Sequence, residues 1–499
     1  MDAQAPKVGS QTDFAGIDRE SSSSLPILPV RAQFSLSVSL LCAAVILAAL
    51  GGILWTSATL PRLDRVEEPE RVLELMVGRM MEAQEDLRRS PRWQRRMTEW
   101  FTGNPQVERD QAIEWYRELV DATGAPLSAF RLAILQGESG YRQAALDRAA
   151  TWQAEGASLS GYARFIQAAY GTAKLERPEE LTLQAELAEV LPAGWFYNAL
   201  AASLARRAHD TVLQEFLNHS VAVRLARRQG VPQALVVVEA VCAAIGSLMI
   251  VWLLSRKGRR DRSMRLHEPG VPPPWSGGIG VAVLLRGGAL GAVLTLALVI
   301  FTPTEHVSLR VAAIPLTNLP LLVLAYYYLL RPAGLTFANG FGLLVDRVQL
   351  GRLACVTLAA VAAGIWGEWA MGELAQSFHL ANHWTEWFDA DLVWGPRSVL
   401  AVSLLEYVVF APVFEELAFR GLLYAILRRR FGVGTAAVIS AGIFAAAHGY
   451  GWIGFASVFW SGVLWAWIYE KTGSLLPGML AHAANNLLVC LSVMALLRG

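Results

Sequence analysis

The sequence predicts an all-α protein: a polytopic membrane helix bundle of about nine spans, with a soluble all-helical domain inserted between the first span and the second. Three observations lead there. Hydrophobic residues make up 54% of the chain and charged residues 17%, a balance too apolar for an ordinary soluble protein. Much of the apolar content lies in long runs nearly free of charge, the first of them Phe34 to Trp55, long enough to cross a bilayer. Between residues 57 and 232 the charge rises, and apolar residues recur every three or four positions, as on one face of an amphipathic helix. A net charge of +1 gives no electrostatic footprint for a nucleic-acid partner. Cys42, Cys242, Cys355 and Cys490 all fall in apolar runs, so neither a disulfide framework nor a cysteine metal site is expected.

Taken in order, residues 1–33 are rich in Ser, Pro, Gln and Asp and read as a disordered cytoplasmic tail. Residues 34–56 form the first span, an uncleaved anchor. Within residues 57–232, Leu73, Met76, Met80, Ala83 and Leu87 mark the buried stripe of one helix, and similar patterns follow, separated by short Gly, Pro, Asn or Ser breaks. This predicts stacked helical hairpins of tetratricopeptide-like style without a fixed repeat period, serving as a protein-partner surface or as a spacer. Residues 233–254 are the second span. Residues 255–277 form a basic linker carrying Arg256, Lys257, Arg259, Arg260, Arg262 and Arg265, which the positive-inside rule keeps in the cytoplasm. Residues 57–232 are then extracytoplasmic, and the protein is an integral, multi-pass protein of the plasma membrane.

Residues 278–499 hold the remaining spans. Arg331, Arg347, Arg352 and Arg428–Arg430 fall on the cytoplasmic side. The segment 377–396, with Glu386, Asp389, Asp391 and several Trp, falls outside. Arg286, early in the third span, reaches back to the cytoplasmic interface.

Three polar islands interrupt these spans. The first is Glu415-Glu416 with Arg420, and an ionisable residue at membrane depth marks a functional site by default. Glu416 and Arg420 are i and i+4, so they pair on one helix face and act as structural support. Glu415 lies about 100° around the helix and is left free. Pro412 predicts a kink just ahead of the pair. The second island is Ser440, Phe444 and His448, one stripe at i, i+4, i+8. The third is His482 with Asn486, again i and i+4, and Asn485 beside them. Glu415 and His448 both lie roughly 20 Å from the cytoplasmic ends of their helices, so they can converge.

These are the groups that amide hydrolysis needs. A carboxylate and an imidazole can hold and deprotonate water, and N–H donors can stabilise an oxyanion. The same side chains could instead hold zinc with an open position, although no His-Glu-x-x-His is present. His379 and His383 lie in the outer segment and read as interfacial, without a catalytic role.

Glu-Glu-x-x-x-Arg, then Phe-x-x-x-His, then His-x-x-x-Asn, on helices of one polytopic domain, resembles the CAAX prenyl protease and bacteriocin-processing (CPBP) family of intramembrane proteases. Pro412, Phe419-Arg420-Gly421, Ser440 and Ser474-Leu475-Leu476-Pro477 agree with it. The resemblance covers about residues 398 to 490, inside a protease domain spanning residues 278–499. It implies that Glu415 and His448 activate water and that His482 and Asn486 hold the oxyanion or the substrate. The substrate is then a membrane protein or peptide, with the lipid bilayer as the medium. A water activated without a cofactor is favoured, with a divalent metal, zinc, as the alternative. A second reading keeps the fold without proteolysis, as an immunity, scaffolding or transport protein, the last with Glu239 and Glu406 on a proton path. Retention of every motif residue favours the protease.

Overall fold

A computed structural model describes residues 34–155, 157–226, 231–255, 264–268, 271–275, 277–301, 307–378, 380 and 382–498. The tail, the basic run from Arg256 to Arg262, and His379 lie outside the described residues. Among those described there are helices and turns and no strand.

Helix α1 (Leu36–Thr59) is followed by the helical domain: α2 (Pro69–Arg89), α3 (Arg92–Thr102), α4 (Pro105–Thr123), α5 (Pro126–Glu138), α6 (Arg142–Glu155), α7 (Ala157–Tyr170), α8 (Arg177–Val190), α9 (Trp195–Arg207) and α10 (Thr211–Ala226). Proline opens α2, α4 and α5, where its missing N–H is not needed and its fixed φ suits the first turn. Asn104 caps α4 by accepting the Gln106 N–H at 2.9 Å. The helices stack as neighbours along the chain, and α9 turns back onto α5 and α2. Their interior holds Tyr116, Phe130, Leu132, Leu135, Leu200 and Leu204, all fully buried.

One expected stripe is shifted. Along α2 the buried apolar residues are Val72, Leu73, Met76, Val77 and Met81, with Glu82 and Gln84 buried beside them, while Ala83 is exposed. The stripe is wider than one residue per turn, and beyond Met76 it follows Val77 and Met81, one position round from Met80 and Ala83.

The membrane helices are α11 (Val231–Ser255), α12 (Gly277–Phe301), α13 (Val307–Ala325), α14 (Leu350–Ser377), α15 (Arg397–Leu427), α16 (Val433–His448), α17 (Trp452–Thr472) and α18 (Leu476–Leu497). With α1, eight described helices are long and apolar enough to cross a membrane; α16, at 16 residues, is shorter. Helix α1 packs on α12 and α16, outside the bundle's tightest contacts. Arg286 ties it there: its Nη1 donates to Ser39 Oγ at 2.9 Å and its Nη2 to Ser35 O at 3.0 Å. At the other end of the same helix, the Ser57 hydroxyl donates to Gly449 O, in the turn that follows His448.

The helical domain sits on the end of the bundle formed by residues 382–396 and the C-terminus of α18. Trp384, Leu392, Val393, Cys490, Val493 and Leu497 belong to the same buried core as the helical domain. Polar contacts seal the seam. Gln111 Nε2 donates to Asn382 O at 2.9 Å, Trp369 Nε1 to Trp100 O at 3.0 Å, and His383 Nε2 lies 3.0 Å from Glu118 Oε2. His383 is thus a buried contact between the two parts of the chain. Burial holds its pKa below the ordinary imidazole value, with Glu118 opposing that shift.

Candidate active site

Helix α15 is not a uniform α-helix. It widens into π-helical turns at Glu406–Phe410 and again at Glu416–Tyr424. The sequence explains the first. The Ala411 N–H bonds to Glu406 O, five residues back, and the next step in that register would pair residue 412 with Tyr407 O. Pro412 has no N–H to give. Asn486 Nδ2, from α18, donates to Tyr407 O at 2.8 Å instead. The kink expected at Pro412 is therefore a register change, patched by an amide from another helix. In the second widened stretch, Ser440 Oγ of α16 donates to Phe419 O at 3.1 Å.

Glu416 and Arg420 meet at 2.8 Å, Nη1 to Oε1, with each side chain only 1% exposed. The guanidinium lies over the Phe444 ring at 4.1 Å and near the Trp465 ring at 5.0 Å, so two aromatic faces meet the buried cation. Its Nε and Nη2 have no hydrogen-bond partner. Gly462 admits it: a Cβ there would meet Ala441 Cβ at 2.8 Å and Arg420 Nη2 at 3.1 Å.

His482 joins the two carboxylates. Its Nδ1 is 3.2 Å from Glu416 Oε1, and its Nε2 is 3.8 Å from Glu415 Oε2. Its ring stacks on Trp465, with centroids 4.1 Å apart and planes 20° apart. Glu415 is the open member, with a side chain 31% exposed, yet its Oε2 is buried and has no hydrogen-bond partner.

His448 ends α16 with Nδ1 on Phe444 O at 2.8 Å. A carbonyl accepts, so Nδ1 carries the proton, and in the neutral ring Nε2 presents its lone pair. Phe444 stands between the two imidazoles, 4.8 Å from His448 and 6.2 Å from His482 by centroid. Glu415 is within ion-pair reach of His482, and His448 makes no hydrogen bond or ion pair with it. Glu415 and His448, the expected water-activating pair, are thus not joined by a direct hydrogen bond or ion pair.

Sequence reasoning missed Trp465 and Tyr450. Tyr450 packs 5.7 Å from His448 and is 43% exposed. Its signal was its place in the Gly-Tyr-Gly turn directly after His448. Glu386 steadies that turn by accepting the Gly451 N–H at 3.3 Å. Trp465 carries no signal in an apolar helix rich in Trp.

Glu415, Glu416 and His482 come together, but among the described residues no group of three or more His, Cys, Asp and Glu is arranged so as to hold a metal ion. Of the glutamates weighed for transport, Glu239 lines a cavity of about 450 Å³ with Glu368 and Glu373. Glu406 is buried in the first π-helical turn and is not part of that lining.

Residues 397–488 match the family described as type II CAAX prenyl endopeptidase Rce1-like. This segment is similar to that family. It contains Glu415, Glu416, Arg420, His448, His482 and Asn486, and it agrees with the resemblance read from the motifs. No curated protein and no solved structure matches the chain. The Rce1-like segment comprises α15 to α17 and α18 as far as residue 488; the helical domain, α1 and α11 to α14 lie outside it.

Proposed function

We propose that the protein is an intramembrane endopeptidase that cleaves a membrane-associated protein or peptide. The observation that carries this reading is Glu415: a carboxylate in an apolar helix whose side chain is partly open, with one oxygen 3.8 Å from His482 Nε2. The open part of such a carboxylate can accept a proton from water. In this reading Glu415 takes that proton while His448 Nε2 positions the same water, and the hydroxide adds to the scissile carbonyl. The oxyanion is met by His482 Nε2–H, when that ring is protonated, and by the second N–H of Asn486, whose first is held by Tyr407 O. Glu415 then returns its proton to the leaving amine. Glu416 and Arg420 keep His482 in place.

The test is a comparison of membrane proteomes from cells carrying the wild type and Glu415→Gln. Accumulation of an uncleaved membrane protein, reversed by the wild type, is expected. No accumulating species, together with no cleavage by purified enzyme of peptides that span the bilayer, would overturn the reading in favour of a non-proteolytic role.

The helical domain is proposed to be extracytoplasmic, because the basic linker from Arg256 to Arg265 belongs on the cytoplasmic side. A cysteine at Val212, an exposed site on α10, should react with an impermeant thiol reagent in intact cells. Reaction only after lysis would reverse the topology.

A further inference from the structure

Helix α3 (Arg92–Thr102) divides into two faces. Trp93, Met97 and Trp100 fall at i, i+4 and i+7 and share one. Arg92, Arg95, Arg96 and Glu99 fall at i, i+3, i+4 and i+7 and share the other. An amphipathic helix of a folded domain turns its apolar face to the core. The other helices of the domain, α2 and α4 to α10, all bury residues in this way. In α3 none of residues 92–100 is buried, and Trp93 and Trp100 are both exposed. The polar face is equally unmatched. Among the described residues, Arg92, Arg95 and Arg96 form no ion pair, and three positive charges stand against the single negative charge of Glu99.

What the apolar face does meet is a membrane helix. Trp100 packs against Trp366 and Trp369 of α14, with ring centroids 5.6 and 5.5 Å apart. Its carbonyl accepts the Trp369 Nε1 proton at 3.0 Å. Trp369 lies eight residues (377 − 369) before Ser377, where α14 ends, so this contact is roughly 12 Å along the span from that end. Trp93 continues the same face roughly 10 Å further along α3. There it is 65% exposed. A face that runs from the flank of a span into the open lies where hydrocarbon meets headgroups. Tryptophan is enriched at that depth, because its ring is apolar and its N–H polar. Arginines on the opposite face of such a helix meet the anionic groups of the lipid surface.

We propose that α3 is an interfacial helix that lies on the bilayer beside α14 and binds anionic lipid headgroups. Trp93 and Met97 enter the boundary of the acyl chains. Arg92, Arg95 and Arg96 hold headgroup phosphates, for which the arginine N–H fork is suited. The contact seats the helical domain on the membrane at a third point, besides the spans α1 and α11 that flank it. It uses no residue of the Rce1-like segment, so it stands or falls independently of proteolysis. It holds equally on whichever side of the membrane the helical domain lies.

The full chain in nanodiscs tests it, with discs of phosphatidylcholine alone and of phosphatidylcholine mixed with phosphatidylglycerol. Hydrogen exchange of the wild type needs no substitution. The amides of residues 92–102 should exchange about tenfold or more slowly in the anionic discs, while those of α6 should not change. The triple variant Arg92→Gln, Arg95→Gln, Arg96→Gln should remove that difference and keep the Tm, since no ion pair is lost. Depth is read from a fluorophore on Trp93→Cys, with Val212→Cys, exposed on α10, as the reference and the chain without an added cysteine as the background. The label at position 93 should be quenched by lipids carrying a nitroxide in the acyl chain and shielded from aqueous iodide, and the label at position 212 should show the reverse. Equal iodide quenching at the two positions would overturn the proposal. So would exchange that ignores headgroup charge, or protection that persists in the triple variant. Protection found only in discs holding two copies would assign the face to a second copy of this chain and overturn the lipid assignment.

Discussion

Two buried arginines, one in the membrane bundle and one in the helical domain, show what the bilayer changes. Arg131 on α5 is 4% exposed and pairs at 2.6 Å with Glu74, whose side chain is 30% exposed. Water reaches the carboxylate, so the pair keeps part of its solvation. Arg420 and Glu416 are each 1% exposed, and no solvent is available to either. There the compensation is assembled from other helices: Phe444 of α16, Trp465 of α17 and His482 of α18. The difference teaches that an ion pair in the bundle cannot be local. Desolvation is repaid only when several neighbours are in place together, and the same neighbours then orient the open carboxylate, Glu415.

The largest expected effect is on turnover. Glu415→Gln keeps the shape and removes the base, so cleavage should fall by about 10²–10⁴-fold with the fold intact. If Glu415→Gln still cleaved while Glu416→Gln were stable and inactive, the roles of the adjacent carboxylates would be exchanged. Next in size is stability. Glu416→Gln and Arg420→Gln each leave a buried charge unpaired and should cost about 3–5 kcal/mol, read as a lower Tm. The double variant should be less damaging than the two costs added. Glu74→Gln, at the half-wet pair, should cost about 1.5–3 kcal/mol. An equal loss at both pairs would break the comparison.

A smaller loss is expected at Asn486. Replacing it by Ala leaves Tyr407 O without its donor and should cost about 1–3 kcal/mol, with Asn485→Ala, on a cavity wall, changing Tm little. At the seam between bundle and helical domain, His383 has its folded pKa lowered by burial, so its unfolded form takes up a proton first. Its contribution is fully present above the ordinary value of 6.5 and is lost as pH falls from there toward the folded pKa. His383→Gln should flatten that part of the curve of Tm against pH. The smallest expected effect is none at all: activity should survive strong chelators, and loss restored specifically by zinc would assign the site a metal after all.

The chain's own order determined whatever depends on neighbours along one helix. The apolar runs mark the spans, because crossing a bilayer demands length and hydrophobicity that few other structures share. Glu416 and Arg420 meet because helix pitch stacks i on i+4, which needs no knowledge of the rest of the molecule. The motif residues of the Rce1-like segment were legible for the same reason: polar groups stand out in apolar helices. Tertiary packing alone decided which imidazole reaches Glu415. His482 does so across helices, while His448 is turned onto its own helix's carbonyl. It also decided that Asn486 supports Tyr407 O, that Trp465 floors the site, and that α2 buries Met81 while exposing Ala83. Each of these depends on how far a helix is rotated about its axis, and two π-helical turns in α15 reset that rotation. Pro412 marks one of those turns in the sequence, but the size of the rotation is settled only by the helices that pack around it.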